Sequence, residues 1–323
     1  MIGSKTPMRI SFVGGGTDIP SFYKMHGGAV ISTAINKYVT VKCEPLAENQ
    51  ISVDISNGIE MSDTLRHKSV HIIREALDLM RIHEGVSVTI ESDVKPGSGL
   101  GGSSAFAVGL IKALQRFSCR HIERQNFWQS IPESCARLAC ELEIEQLGSP
   151  IGKQDQYIAA YGGLRRFDFR DDNSVVTRIL KPPPELEESM MLFDTNITRK
   201  SNEILKDLPK TADATIMLQM KGQVGEMERL LEAGDIQGIG ALLEDAWMLK
   251  TTLSPLITNV QLDKIYDVAL EAGAYGGKLL GAGGGGHFLF IAPEQYRDDV
   301  KEALSPYCTH VPFKFDRKGS QLL

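Results

Sequence analysis

The sequence predicts an α+β fold in two domains, and three observations carry that reading. The N-terminal half opens on strand-like segments before its first long helix. The stretch beyond residue 183 is dominated by helices, and no repeating strand–helix rhythm of a doubly wound sheet connects the two halves. Between them lies "LKPPPELEES", residues 180–189, where three consecutive prolines precede an acidic run. We therefore divide the chain into domains 1–183 and 184–323.

The elements follow in order. "RISFVG", "AVISTAI" and "YVTVKCEP" are rich in β-branched and aromatic residues and bounded by turn formers, so each reads as a strand. A helix over 69–81 places Val70, Ile73, Leu77 and Met80 on one face. "VSVTIES" alternates Val86, Val88 and Ile90 with polar residues, the period of a half-buried strand. "SSAFAVGLIKALQRF" is apolar at helical spacing, and a further helix runs over about 125–147, broken or started at Pro132 and stopped at Gly148. Beyond the prolines, helices are expected over 211–232, 235–252 and 259–273. Met217, Met220, Val224, Met227 and Leu231 form an apolar stripe on the first of these, which reads as core. A glycine loop and an apolar strand follow in "GGKLLGAGGGGHFLFIAP", and "THVPFKF" reads as a last strand.

Composition excludes several functions. With 42% hydrophobic and 24% charged residues, the 323-residue chain has the make-up of a soluble globular protein. Its net charge of -6 argues against a nucleic-acid partner bound through a phosphate-neutralising surface, yet allows a small anionic ligand held by local groups. The five cysteines, Cys43, Cys119, Cys135, Cys140 and Cys308, include no CxxC pair and read as reduced core thiols. The N-terminal segment lacks a signal-peptide core and no apolar run could span a bilayer, so a cytoplasmic protein without a membrane partner is expected.

The segment with most chemical content is "KPGSGLGGSSA", residues 95–105. Gly97, Gly99, Gly101 and Gly102 lead into Ser103 and Ser104, between a strand and a helix. The exposed N–H groups of such a loop and the helix N-terminus suit an anion, most simply a phosphate. Gly97, Gly99 and Gly102 also satisfy GxGxxG, but the strand before them alternates and carries Glu91 and Asp93 instead of being a buried apolar run. A Walker A loop requires lysine where Ser103 stands. A turn that merely packs helix on strand accounts for one or two glycines, not four. Of the two serines, one suits an N-cap and the other a magnesium-binding hydroxyl.

Three motifs in order, "TPMRISFVGGGTD" at 6–18, "KPGSGLGGSSA" at 95–105 and "KLLGAGGGGH" at 278–287, resemble the GHMP kinase superfamily over nearly the whole chain. The resemblance implies an N-terminal ribosomal S5 domain 2-like domain and a C-terminal ferredoxin-like domain, with ATP, magnesium and a small-molecule substrate in the cleft. "FVGGGTDIPSFY" and "GSPIGKQDQYIAAYGG" are most similar to the D-glycero-D-manno-heptose 7-phosphate kinases, which phosphorylate an anomeric C1 hydroxyl. Where galactokinases have Gly-Glu-His-Thr-Asp, this chain reads Gly14-Gly15-Gly16-Thr17-Asp18, a difference that would enlarge the sugar pocket and remove a negative charge.

The same resemblance implies the roles of single residues. Asp155 aligns with the catalytic aspartate and Arg9 with a catalytic cation that could acidify the hydroxyl; by residue type alone they read as a loop carboxylate and a surface arginine. Gly97, Gly99, Leu100, Gly101, Gly102, Ser103 and Ser104 would cradle the ATP phosphates, and Ser104 with Glu143 would bind magnesium. Glu141 and Glu145 flank Glu143, but residues two apart leave a helix on different sides, so the three cannot share the cleft. Gly15, Gly16, Thr17 and Asp18, with Gly283 and Gly284 from the third loop, would line the substrate pocket. His287 is expected to be packed or hydrogen-bonded, and Arg199 and Lys200 are candidates for a sugar phosphate. The alternatives are another GHMP sugar kinase (for fucose, galactose or an unphosphorylated heptose), a non-catalytic sensor that kept the fold, and an NAD-dependent oxidoreductase suggested by GxGxxG alone.

Overall fold

A computed structural model describes residues 1–47, 50–55, 63–120, 131–197 and 214–323. The first sheet is built on a long antiparallel pair, β1 (Ile2–Val13) and β2 (Gly28–Leu46), with the short helix α1 (Pro20–His26) between them. The two segments expected as separate strands, at 29–35 and 38–45, are one continuous strand. A register shift opposite Pro7 and Met8 absorbs the polar Asn36 and Lys37 as a bulge, so the ladder resumes without a turn. β4 (Gly85–Ser92) pairs with β2, and β3 (Ile51–Ile55) runs parallel to β4, connected through α2 (Asp63–Leu79). On the same edge of β2, nearer its start, β5 (Leu164–Phe169) pairs with β2 and with β6 (Val175–Ile179).

α3 (Gly102–Ser118) lies across β1 and β2 with an almost wholly buried face, the outcome of its apolar spacing. α4 starts at Pro132, whose missing N–H costs nothing at a helix start, and runs to Cys140. It continues as a π-helical turn over Glu141–Gln146 that the sequence pattern did not mark. α5 (Gln154–Tyr161) follows, so Asp155 lies in the first turn of a helix and not in a loop.

The second sheet has the order β10-β7-β9-β8, all antiparallel, from β7 (Met190–Asp194), β8 (Gly276–Leu279), β9 (His287–Ile291) and β10 (Thr309–His310). Numbered within the domain this is 4-1-3-2, the order expected of a ferredoxin-like unit. After the short α6 (Leu186–Ser189), its helices among the described residues are α7 (Ala214–Ala233), α8 (Ile236–Thr251), α9 (Val260–Glu271) and α10 (Arg297–Leu304). The methionine stripe of α7 is buried as expected. Val224, Met227 and Leu231 belong to the first core and Met217 and Met220 to the second, so α7 bridges the two.

The segment expected as a final strand at 309–315 is strand only over Thr309–His310. Beyond it the tail turns back to the first sheet. Asn36 and Lys314 are bonded through their backbones, Asp316 bonds to Ala34 and Gly163, and β11 (Gln321–Leu322) pairs with β1. All five cysteines are free, four of them buried. Among the described residues no helix is long and apolar enough to cross a membrane.

Candidate active site

The carboxyl end of β1, the N-termini of α3 and α5, and the loop before β9 converge on one place. Arg9, on β1 and only 5% exposed, is its centre. Its Nε and one terminal nitrogen donate to the two carboxylate oxygens of Asp155, at 2.8 and 2.7 Å, while the other terminal nitrogen donates to the Gly99 carbonyl. Its backbone N–H donates to Leu100 O at 2.9 Å. One arginine therefore fixes both the glycine loop and the aspartate, with the bidentate geometry that makes such pairs strong and directional. Gly101 makes the approach possible. It has φ +75, and a Cβ there would lie 3.1 Å from Arg9 Cγ and 3.2 Å from Asp155 Oδ2.

Gly101 also takes the N-cap position of α3, without a side-chain cap bond, so neither serine is the N-cap expected from the sequence. The left-handed glycine already turns the chain, which leaves both hydroxyls for Glu143. Ser103 Oγ donates to Glu143 Oε1 at 3.0 Å, and Ser104, which is buried, also bonds to that carboxylate. The first-turn N–H groups of α3 open towards the loop with no acidic side chain in that turn, an arrangement that favours an anion.

The π-turn sorts the three neighbouring glutamates: Glu143 is 4% exposed, Glu141 is half-buried and Glu145 is exposed. Burial raises the Glu143 pKa, opposed by the donors Ser104, Gln156 and Ser103. Gln156 Nε2 donates to Glu143 Oε2 at 2.6 Å, while its own Oε1 is buried without a partner. Hydroxyl and carboxylate oxygens suit magnesium, which takes few protein ligands and keeps several waters. An orphaned carbonyl oxygen on the amide bonded to Glu143 fits an acceptor for such a water. Among the described residues no cluster of three or more His, Cys, Asp or Glu forms a dedicated metal cage.

The loop after β1 is tied to α5. Asp18 accepts from Gly16 N at 3.0 Å and from Gln154 N at 2.9 Å. Burial raises its pKa against those two bonds, and the charge of Asp155 adds to the rise. Thr17 is fully buried, and its hydroxyl is engaged with Gly14 O, Ala29 O and Ala29 N. It pins the loop and has no free donor for a ligand. Gln154 was not singled out from the sequence; its amide accepts from Ser11 Oγ at 2.8 Å and donates to Asp155 Oδ1 at 3.2 Å. In "KQDQ" three successive side chains thus hold Ser11, Arg9 and Glu143.

The third glycine loop meets the second through its last glycine and the histidine that follows. Gly283 packs on Ile257 and Gly284 N donates to Ile257 O at 2.8 Å, within their own domain. The contact across the cleft is made by Gly286, where a Cβ would come within 2.5 Å of Ser98 O, and by His287, whose Nδ1 lies 2.8 Å from the same oxygen. His287 is buried and hydrogen-bonded, as expected. Arg199 and Lys200 lie outside the described residues.

A helix N-terminus opening on a glycine loop, beside an arginine-held carboxylate and a buried hydroxyl–carboxylate pair, is the equipment of a phosphoryl-transfer enzyme. Residues 67–163 match the family model for the GHMP kinases N terminal domain, and residues 227–309 match that for the GHMP kinases C terminal. The chain belongs to the GHMP kinase family. Within it the chain is a sugar kinase. It is 30% identical to the D-glycero-alpha-D-manno-heptose 7-phosphate kinase of Campylobacter jejuni, over 98% of this chain and 97% of that protein. It is 24% identical to the galactokinase of Pyrococcus furiosus over 93% of this chain and 91% of that one. Among solved structures, a D-glycero-D-manno-heptose 1-phosphate kinase from Bacteroides thetaiotaomicron superposes with a TM-score of 0.77 at 25% identity, covering 100% of this chain and 99% of that one.

Proposed function

We propose that the protein transfers the γ-phosphoryl group of ATP to the anomeric C1 hydroxyl of D-glycero-D-manno-heptose 7-phosphate, for the synthesis of a nucleotide-activated heptose. The observation that carries this reading is the Arg9–Asp155 pair bonded to the glycine loop, because it puts a proton acceptor, a cation and a phosphate cradle in contact. Asp155 accepts the C1 hydroxyl proton as that oxygen attacks the γ-phosphorus, and ADP departs with the bridging oxygen. Arg9 orients the carboxylate and adds positive charge where the transferred group gathers negative charge.

The loop Gly97, Gly99, Leu100, Gly101, Gly102, Ser103 and Ser104 binds the phosphates through backbone N–H groups and the α3 N-terminus. Ser104 and Glu143 are the residues that would hold magnesium, which when bound supplies charge neutralisation for the nucleotide phosphates. Gly15, Gly16 and Asp18 shape the sugar pocket behind the clamp formed by Thr17, and the loop containing Gly283 and Gly284 closes the cleft. Residues 1–183 and 184–323 serve as the two walls, with the tail lying across the first.

The relatives' names carry the phosphate at position 7 in one case and position 1 in the other. Both names support a phosphorylated heptose as the acceptor, and the first supports the 7-phosphate, whose C1 hydroxyl is free. The match to galactokinase favours one second reading, a free sugar as acceptor. ATP turnover on heptose 7-phosphate, unphosphorylated heptose, fucose and galactose decides between them. Turnover confined to free hexoses contradicts the heptose 7-phosphate assignment.

A further inference from the structure

The third motif begins with a lysine to which the roles above give no task. Lys278 sits on β8 in the second domain, 5% exposed, and its ammonium donates to the Phe12 carbonyl of β1 in the first domain at 2.7 Å. Phe12 lies at a register shift between Ser11 and Val13 of the β1–β2 ladder, so a donor from outside the sheet finds its carbonyl there. Capping that carbonyl needs one N–H and no charge. Lys278 brings three N–H groups and a full positive charge. Among the described residues Phe12 O is its one hydrogen-bond partner, and no carboxylate pairs with it.

Burying an unpaired ammonium is costly, so its presence calls for a reason beyond packing. Its surroundings supply one. Arg9 is close enough to repel it, and Arg9 already shares Asp155 as counter-ion. The three carboxylates of the site are engaged elsewhere, Asp155 with Arg9, Glu143 with Ser103 and Gln156, and Asp18 with the Gly16 and Gln154 N–H groups, so the counter-ion that Lys278 lacks is an anion that enters with the substrates. Burial and the Arg9 charge together lower the Lys278 pKa from 10.5 to about 8. Burial and Arg9 are the influences acting on it among the described residues.

We propose that Lys278 is a phosphate-binding residue contributed by the second domain, whose ammonium takes a phosphoryl oxygen of ATP or of the sugar phosphate as its counter-ion when the cleft is filled. This rests on the phosphoryl-transfer reading of the site. The shared chemistry is a phosphate oxygen, and two ligands used separately identify its source.

The experiment is calorimetric binding by wild type, Lys278→Gln and Lys278→Arg. The probes are a non-hydrolysable ATP analogue with magnesium and, separately, D-glycero-D-manno-heptose 7-phosphate. Lys278→Gln removes the charge and keeps a neutral donor, one atom shorter, near Phe12 O; Lys278→Arg keeps the charge. We expect Lys278→Gln to fold with a Tm at or above that of wild type and to lose about tenfold or more in affinity for one of the two probes. Lys278→Arg recovers part of that loss. At pH 8.5 wild type takes up protons on binding the same probe, because a phosphate beside the ammonium restores its charge, whereas Lys278→Gln does not.

Loss on the ATP analogue assigns the contact to the nucleotide, and loss on the heptose 7-phosphate assigns it to the sugar phosphate. Equal affinities and equal proton uptake in wild type and Lys278→Gln overturn the proposal and leave the kinase assignment standing. Losses of the same size in the Gln and Arg variants also overturn it, since they point to a packing role. Failure of wild type to transfer phosphate from ATP to any sugar would instead strike the proposed function.

Discussion

Arg9 and Asp155 form the ion pair on which the site depends, and the pairing separates binding from chemistry. Asp155→Asn keeps the shape and loses the proton acceptor. We expect kcat to fall by roughly 10²–10⁴ while affinity for the ATP analogue stays near that of wild type; unchanged turnover would remove Asp155 from the reaction. Gln156→Leu deletes the amide that holds Glu143 and should raise the magnesium concentration for half-maximal activity by about 10–100-fold. Direct titration with Mn2+ checks it, and unaltered metal affinity would contradict it. For Lys278 the sign of the pH effect is fixed. Its folded pKa lies below the usual lysine value, so the cost of burying its charge is full below about pH 8 and fades as pH rises towards 10.5. Wild type should therefore gain stability relative to Lys278→Gln across that window, measured by denaturant unfolding at several pH values.

At the level of elements, the loops do more than a motif can specify. Gly286 is the point where the third glycine loop touches the second, and Gly286→Ala would force a Cβ against Ser98 O. We expect a raised KM for ATP with a smaller change in kcat, read from steady-state kinetics. The resemblance singled out Arg9, Asp155 and Ser104 inside specific motifs and Glu143 by its place five residues before Gly148, and these side chains lie together in the structure. It did not find Gln154 and Gln156, which only their contacts distinguish from neighbours of the aspartate. Periodicity placed α3, α7, α8 and α9 within a few residues, since each has a continuous apolar face. It missed the π-turn after α4, a widened turn that neither composition nor apolar spacing marks. The serine N-cap failed for a related reason: a left-handed glycine at the cap position removed the need for a hydroxyl.

At the scale of the molecule, the chain closes on itself. The tail returns across α5's far end, where Asp316 O accepts from Gly163 N at 2.7 Å and Gly319 packs against Gly162. Such long-range pairing leaves no local signature, which is why "THVPFKF" reads as one strand although only Thr309–His310 form one. Ending the chain at Val311 should lower Tm by roughly 5 °C and reduce kcat more than it changes KM for ATP, because the tail braces the helix that carries Asp155 and not the phosphate loop. The two-domain architecture itself was legible from the proline boundary and the change of texture. The bridging of both cores by α7 was not, because its methionine stripe names no partner. The central claim is the acceptor hydroxyl, and 31P NMR of a reaction containing ATP, Mg2+ and D-glycero-D-manno-heptose 7-phosphate tests it most directly. We expect a new phosphate resonance coupled to the anomeric proton, with the 7-phosphate signal retained. No transfer to this sugar, or a new phosphate on any other carbon, would contradict it.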